Sequence, residues 1–353
     1  CSSDLAAPAA PAAAARPVRD SSLTIRAGGV ARPFRHTSKS WREPILNLPR
    51  SFILKRISDH LVANMLFAGL VAVLYEGLKV KALIAFWPTA MVAHTLLGTA
   101  LGLLLVFRTN AAYDRFWEGR KLWGSLINTS RAIVMMLSNY VTKLDPLAAA
   151  QCLRLYAAFP WVFMRHLRGG KFLLNTRDCA TTEVHAVEGL LKSPIFETCR
   201  CQPQQIVNLI DRIVAAAYAK NPRSNPELIA ERASLIEMFV RLADIVGACE
   251  RIIKTPVPES YTRHTSRFLS FWCFTLPIVL IPTLGTWWML AATLFVTWSL
   301  LSIEEIGHSI EDPFLDPKEN PGSLPLEGMC VGISMEANEA LRLRGLAAVD
   351  INK

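Results

Sequence analysis

Acidic residues are scarce at the start of this chain. Residues 1–40 carry only Asp4 and Asp20, and over the whole sequence 29 Asp and Glu face 38 Lys and Arg, a net charge of +9. Strand-like alternation of apolar and polar residues is also scarce, which argues against a sandwich or barrel of strands. The eight cysteines are scattered and form no disulfide framework. Cys199 and Cys201 make one Cys-x-Cys pair with no second pair nearby, a spacing that argues against a zinc site. Two long stretches lack formal charge altogether: 26 residues from Ala82 to Phe107 and 36 from Phe268 to Ile303. A helix needs about 20 apolar residues to cross a bilayer, so these gaps point into a membrane.

The rest of the composition agrees. The chain is 52% hydrophobic with a mean hydropathy of +0.28. On a soluble protein the basic excess would suggest nucleic acid. Here it reads as the positive flanks of membrane spans, which set orientation, and no nucleic-acid partner is expected. A basic vestibule would also concentrate anions.

The most informative stretch runs from Pro88 to Gly124. Its apolar part ends at Phe107, and Arg108, Asp114, Arg115, Glu118, Arg120 and Lys121 follow with neither Pro nor Gly at the changeover. One helix is predicted to cross the membrane and continue into water. Thr99, Leu103 and Phe107, spaced i, i+4 and i+8, share one face of it. Copies of this helix around an axis would line a narrow, mostly apolar pore with that face.

Five regions follow in order. Residues 1–43 form a disordered basic segment, rich in Arg and Ser and poor in acids, a composition that fits the remnant of an organelle transit segment as well as a plain disordered tail. Residues 44–127 hold an N-terminal helix, predicted over Arg50 to His60, and the first two spans. The uncharged run Leu61 to Tyr75 is short for a span unless the helix begins before His60 or ends past Glu76. Glu76, Lys79 and Lys81 make the loop between the spans. Residues 128–265 are read as helical and soluble, with periodic apolar positions over Ile229 to Lys254 and Ile206 to Ala219. Residues 266–306 hold two more spans joined near Pro282 to Gly285, with Trp287, Trp288 and Trp298 as interface anchors and Glu304 and Glu305 closing the last one. Residues 307–353 form a tail with a helix around Ile333 to Leu346. Four spans put both termini and the basic middle on one side, the cytoplasmic side or its organelle equivalent.

The block RTNAAYDRFWEGRKLWG, Arg108 to Gly124, resembles the signature of the bestrophin family, and most closely the plant and algal branch of voltage-dependent chloride channels of the thylakoid. The likeness covers roughly Pro44 to Gly345 and includes the IEDPF stretch, Ile310 to Phe314. It implies an all-α membrane protein with four spans and a helical soluble region, assembled as a homopentamer around a central pore. It implies rings of side chains at Thr99, Leu103 and Phe107, where the family usually has apolar residues; Thr99 departs from that and makes the outer ring more polar. It implies passage of chloride, with bicarbonate or nitrate as further anions, across the thylakoid membrane to balance proton pumping. No cofactor is required. The alternative within this reading is a bicarbonate channel feeding a carbon-concentrating mechanism.

Arg108, Arg115 and Arg120 are candidates for the vestibule, although charges beside spans also serve as anchors. Asn110, Tyr113 and Glu118 are read as holding neighbouring helices together. Animal members bind calcium after a Pro-Phe-Gly turn; here the stretch reads Asp312-Pro313-Phe314-Leu315-Asp316-Pro317-Lys318-Glu319. Calcium takes six to eight oxygens, and too few are visible, so the expectation is against animal-type calcium gating, with Asp312 and Asp316 as weak candidate ligands. His94, inside a span, is expected to be neutral and hydrogen-bonded. A membrane redox or metal enzyme built on His94 and His308 would need paired, suitably spaced histidines, which the spans lack. A non-conducting membrane scaffold docking partners through the basic middle region is the remaining alternative.

Overall fold

In the computed structural model of the chain, residues 51–77, 88–169, 199–220 and 226–346 are described. The N-terminal segment 1–43, Lys79 and Lys81 of the first loop, and the stretch 170–198 lie outside them. Among the described residues the structure is helical and has no strand.

Helix α1 (Phe52–Gly77) is continuous. The interfacial helix and the short span expected separately are one element, because the charged Lys55, Arg56 and Asp59 lie within its first turns rather than between two helices. At about 1.5 Å per residue its 26 residues reach roughly 39 Å, enough to cross a bilayer. Helix α2 (Pro88–Met136) runs unbroken for 49 residues, so it passes from apolar to charged composition without interruption. It leads through a π-helical turn, Leu137–Val141, and a short segment, Thr142–Leu144, to Asp145. Asp145 ends the run with extended backbone, and its Oδ1 accepts from the amides of Leu147 and Ala148 at 3.1 Å, capping α3 (Pro146–Leu167) ahead of a proline at the first helical position. Helices α4 (Gln202–Ala219) and α5 (Pro226–Lys254) follow.

The long uncharged stretch falls in α6 (Glu259–Glu311), broken at Gly285. There φ is +72°, a backbone that side chains with a Cβ rarely adopt. Pro282, just before it, has no N–H to carry the ladder onward. The first arm begins well inside the charged stretch, at Glu259, which gives it the length that 14 uncharged residues lack. Glu304 and Glu305 do not close the last arm; the helix continues to Glu311. Trp287 and Trp288 stand exposed just past the break, and Thr286 Oγ1 donates to Glu76 Oε1 at 2.8 Å, tying the break to the end of α1. Helix α7 (Leu326–Leu343) closes the described chain.

Among the described residues four helices are long and apolar enough to cross a membrane, α3 among them. In α3, however, 78% of the apolar window is buried inside the protein, against 17–33% in α1, α2 and α6. Its apolar residues are core, and the four passes are α1, the first half of α2 and the two arms of α6. Helix α6 packs on α2 and α1; α3 packs on α4 and α7; α5 packs on α2.

The two halves have separate cores. In the apolar half, Ile57, Leu101, Leu105, Leu269, Cys273 and Leu301 meet between α1, α2 and α6, and Ala68, Val71, Ala72, Ile281 and Met289 form a second small cluster. In the soluble half a much larger core surrounds a run of stacked rings. Trp123 lies on Phe163 at 5.4 Å between centroids, Phe163 on Phe159 at 5.9 Å, and Phe159 on Tyr156 at 5.8 Å.

Candidate pore helix and its clamps

Helix α2 has two faces along its whole length. Leu101, Leu105, Arg108, Ala112, Gly119 and Trp123 are buried against the rest of the chain. On the opposite face Val92, Leu96, Thr99, Leu103, Phe107, Asn110, Asp114, Trp117 and Lys121 are all exposed. At 100° per residue these nine positions fall within about 40° either side of Leu103, so the uncovered stripe is straight. Apart from Thr99 it is apolar up to Phe107, and apart from Trp117 it is polar beyond. Leu103 and Phe107 are 56% and 57% exposed. Thr99 lies on the same stripe, but its hydroxyl donates back to Thr95 O at 3.1 Å, which spends the donor on the helix's own backbone.

At the changeover the first charge of α2 points the other way. Arg108 is only 2% exposed. Its Nη1 donates to Glu304 Oε1 at 2.8 Å, and Nη2 lies 3.0 Å from His308 Nδ1. Ser266 donates to the same Glu304 oxygen. A buried arginine without a partner would be prohibitive; paired and hydrogen-bonded, it fixes the register of the elements it joins. Arg108 therefore ties α2 to the second arm of α6, whose Glu304 is held in turn by Ser266 of the first arm, and its side chain is buried away from the exposed stripe. Glu305 pairs with Arg56 of α1 at 2.9 Å, so the two acids join α6 to α2 and α1.

Arg115 makes a second clamp. Its Nη2 donates to Ile252 O at 2.7 Å, its Nη1 to Thr255 O, and its Nε to Glu311 O at 3.0 Å. The carbonyls at the ends of α5 and α6, which have no partners within their own helices, are thus satisfied by one planar guanidinium. Glu118 adds an ion pair to Arg251. Arg120 and Tyr113 remain exposed, as does Asn110. Tyr261 OH donates to Leu104 O at 3.1 Å, a further link between α6 and α2.

The family model for bacterial and fungal bestrophin proteins matches residues 33–339. The chain belongs to the bestrophin family. Among its relatives, a voltage-dependent anion channel-forming protein of Nostoc is 32% identical over 83% of this chain and 89% of its own length. The chloroplastic voltage-dependent chloride channel 1 of Arabidopsis thaliana is 32% identical over 70% of this chain and 56% of that protein. A crystal structure of a bacterial bestrophin homolog from Klebsiella pneumoniae superposes with a TM-score of 0.66 at 24% identity, covering 84% of this chain and 99% of that one.

Within this bestrophin the motif glycine has a steric role. A Cβ on Gly119 would lie 3.0 Å from Pro313 Cγ and 3.2 Å from the Phe314 ring, so the segment after α6 docks against α2 where a side chain is missing. Phe314 is buried there. Asp312 and Asp316, the candidate calcium ligands, each spend one oxygen on a local turn: Asp312 Oδ1 accepts from Phe314 N at 3.1 Å and Asp316 Oδ1 from Lys318 N at 2.9 Å. His94 stacks on Trp272 with centroids 4.4 Å apart; its Nε2 lies 3.2 Å from Trp272 O, and Trp272 Nε1 donates to His94 O at 3.1 Å. His94 and His308 thus serve different partners. Glu304, Ser266 and the receiving carbonyls of α5 were not legible from sequence, because their partners lie 38 to 196 residues away. The one available signal was an arginine at a membrane boundary that requires a buried acid.

Proposed function

We propose that this bestrophin is a subunit of an anion-selective channel in which five copies surround a pore lined by the uncovered stripe of α2. The observation that carries the reading is that stripe: nine positions, three or four residues apart along one helix face, left exposed by the rest of the chain, mostly apolar through the membrane half and mostly polar beyond it. Thr99, Leu103 and Phe107 form the neck, with Asn110, Tyr113 and Arg120 in the vestibule beyond it. Rings of apolar side chains exclude water and so gate a pore. Weakly hydrated monovalent anions give up their water there at lower cost than small cations, and the positive edge of Phe107 favours an anion over a cation. The basic soluble region, residues 128–265, raises local anion concentration at the inner mouth.

The names of the relatives support chloride and a chloroplast membrane. We place the channel in the thylakoid, where chloride, bicarbonate or nitrate moving with the field balances pumped protons and leaves more of the proton-motive force as a pH difference. The test is single-channel recording of the purified protein in a planar bilayer under a KCl gradient. A reversal potential near the chloride equilibrium value is expected. Replacing chloride by bicarbonate then ranks the two anions. No current from well-inserted protein overturns the reading and favours the scaffold.

A further inference from the structure

Away from the pore helix, three side chains from three helices converge on one carboxylate oxygen. His166, in the last turn of α3, places Nε2 2.8 Å from Glu250 Oε1. Cys201, the residue preceding α4, places Sγ 3.6 Å from the same oxygen. Glu250 is in the last turns of α5. The Nε2, Sγ and carboxylate atoms all lie within 4.8 Å of one another. They open onto a cavity of about 480 Å³, also lined by Arg200, Ile253 and Lys254. Among the described residues this is the one such grouping of three ligand-type side chains.

We infer that His166, Cys201 and Glu250 form a binding site for a divalent transition-metal ion of the zinc class. The donor set is one imidazole nitrogen, one thiolate and one carboxylate, which suits zinc and not calcium or magnesium. Zinc bonds of about 2.0–2.3 Å require tetrahedral edges of roughly 3.3–3.6 Å. The Sγ to Oε1 edge already has that length, and the Nε2 to Oε1 edge must open by about half an ångström. In the metal-free protein two hydrogens point at Oε1, one from sulfur and one from imidazole; the ion takes their place. Lys254 bonds to the other carboxylate oxygen, which leaves Oε1 to the metal and fixes the plane of the carboxyl. A water in the cavity completes four-coordination. Cys-x-Cys spacing alone argued against zinc; the fold supplies the remaining ligands from helices distant in sequence.

The position gives the site a consequence, which rests on the channel reading. Glu250 precedes Arg251, Ile252 and Thr255, the three residues through which α5 is held by Glu118 and Arg115 of α2. An ion pinning α3, α4 and α5 together stiffens the end of α5 that the pore helix grips.

The test uses the full chain in detergent with a reductant, with cobalt(II) as a coloured stand-in for zinc. Wild type and Cys199→Ser are expected to bind one Co2+ per chain with a thiolate-to-metal absorption band that Zn2+ abolishes. Cys201→Ser should lose the band and weaken zinc binding by well over 100-fold, beyond the roughly 10–100-fold that loss of an outer partner costs. Cys201→His, which restores a ligand, should bind again with a nitrogen-type spectrum and so shows that loss in the serine variant is not misfolding. Absence of the band in the wild type, or its survival in Cys201→Ser, overturns the site. Because the readout is absorbance and not current, failure here is separable from failure of the channel reading.

Discussion

The two halves of α2 are packed by different rules. Its charged half is sunk in a core of stacked aromatic rings, where Trp123, Phe159 and Phe163 lose all contact with solvent. Its apolar half leans on one small cluster through Leu101 and Leu105 and leaves Leu96, Leu103, Val106 and Phe107 more than half exposed. In water the second arrangement would be a liability. It is stable only if lipid or further copies of the chain cover what the fold leaves open. The soluble half buries a large core of its own, whereas the membrane half leaves most of its apolar surface for something else to cover, and the pore reading grows out of that difference.

The comparison is broken most severely at the places where each half is irreplaceable. Phe163→Ala removes one of the two inner rings of the stack and is expected to cost about 3–5 kcal/mol, read as a loss of thermal stability of the purified chain. Arg108→Ala is expected to cost a similar amount, about 3–5 kcal/mol, because it strands Glu304 in a buried site. Adding Glu304→Gln to Arg108→Ala should recover part of that loss, and a double-mutant cycle that came out additive would show that the two do not act as a pair. Gly119→Ala comes next. Its Cβ would press on Pro313 and Phe314, and an overpacked contact of this kind costs about 1–3 kcal/mol; an unchanged melting temperature would mean that the docked segment moves freely.

These residues also show what sequence can and cannot carry. The continuity of α2 was legible because nothing at Phe107–Arg108 interrupts a helix, and the break in α6 was legible because Pro282 and Gly285 both interrupt one. The stripe through Thr99, Leu103 and Phe107 follows from helical periodicity, which is local. The clamps are not local. Arg108 reads the same beside lipid headgroups as beside Glu304, and only the packing of α6 on α2 decides. Pro146–Leu167 shows the same limit from the apolar side, since its composition suits a membrane span and its burial among α4, α7 and the rings of α2 makes it core. His166, Cys201 and Glu250 belong to three separately unremarkable helix ends.

Substitutions on the stripe sharpen the contrast from the other direction. Leu103→Ala and Phe107→Ala delete side chains that the protomer does not bury, so protomer stability should change by less than about 1 kcal/mol. Single-channel currents should rise or lose selectivity, because the neck widens. Large effects on folding with unchanged currents would move that face from the pore into packing.

The smallest effect separates charge from capping at Asp145. Its carboxyl is held below the ordinary range first by the hydrogen bond from Lys220, 2.7 Å away, and then by the amide of Ala148, against the opposing pull of burial. Asp145→Asn keeps an oxygen able to cap α3 and loses only the ion pair with the exposed Lys220, so about 0.5 kcal/mol is expected. The sign with pH follows from the lowered value. The charge contributes fully above the ordinary carboxylate pKa of 3.8 and is lost as pH falls through the lower folded-state value. The difference between wild type and Asp145→Asn should therefore be constant near neutrality and shrink below pH 4. A difference that grew on acidification would mean that the folded protein favours the protonated acid, and that burial outweighs both the Lys220 pair and the capping amides.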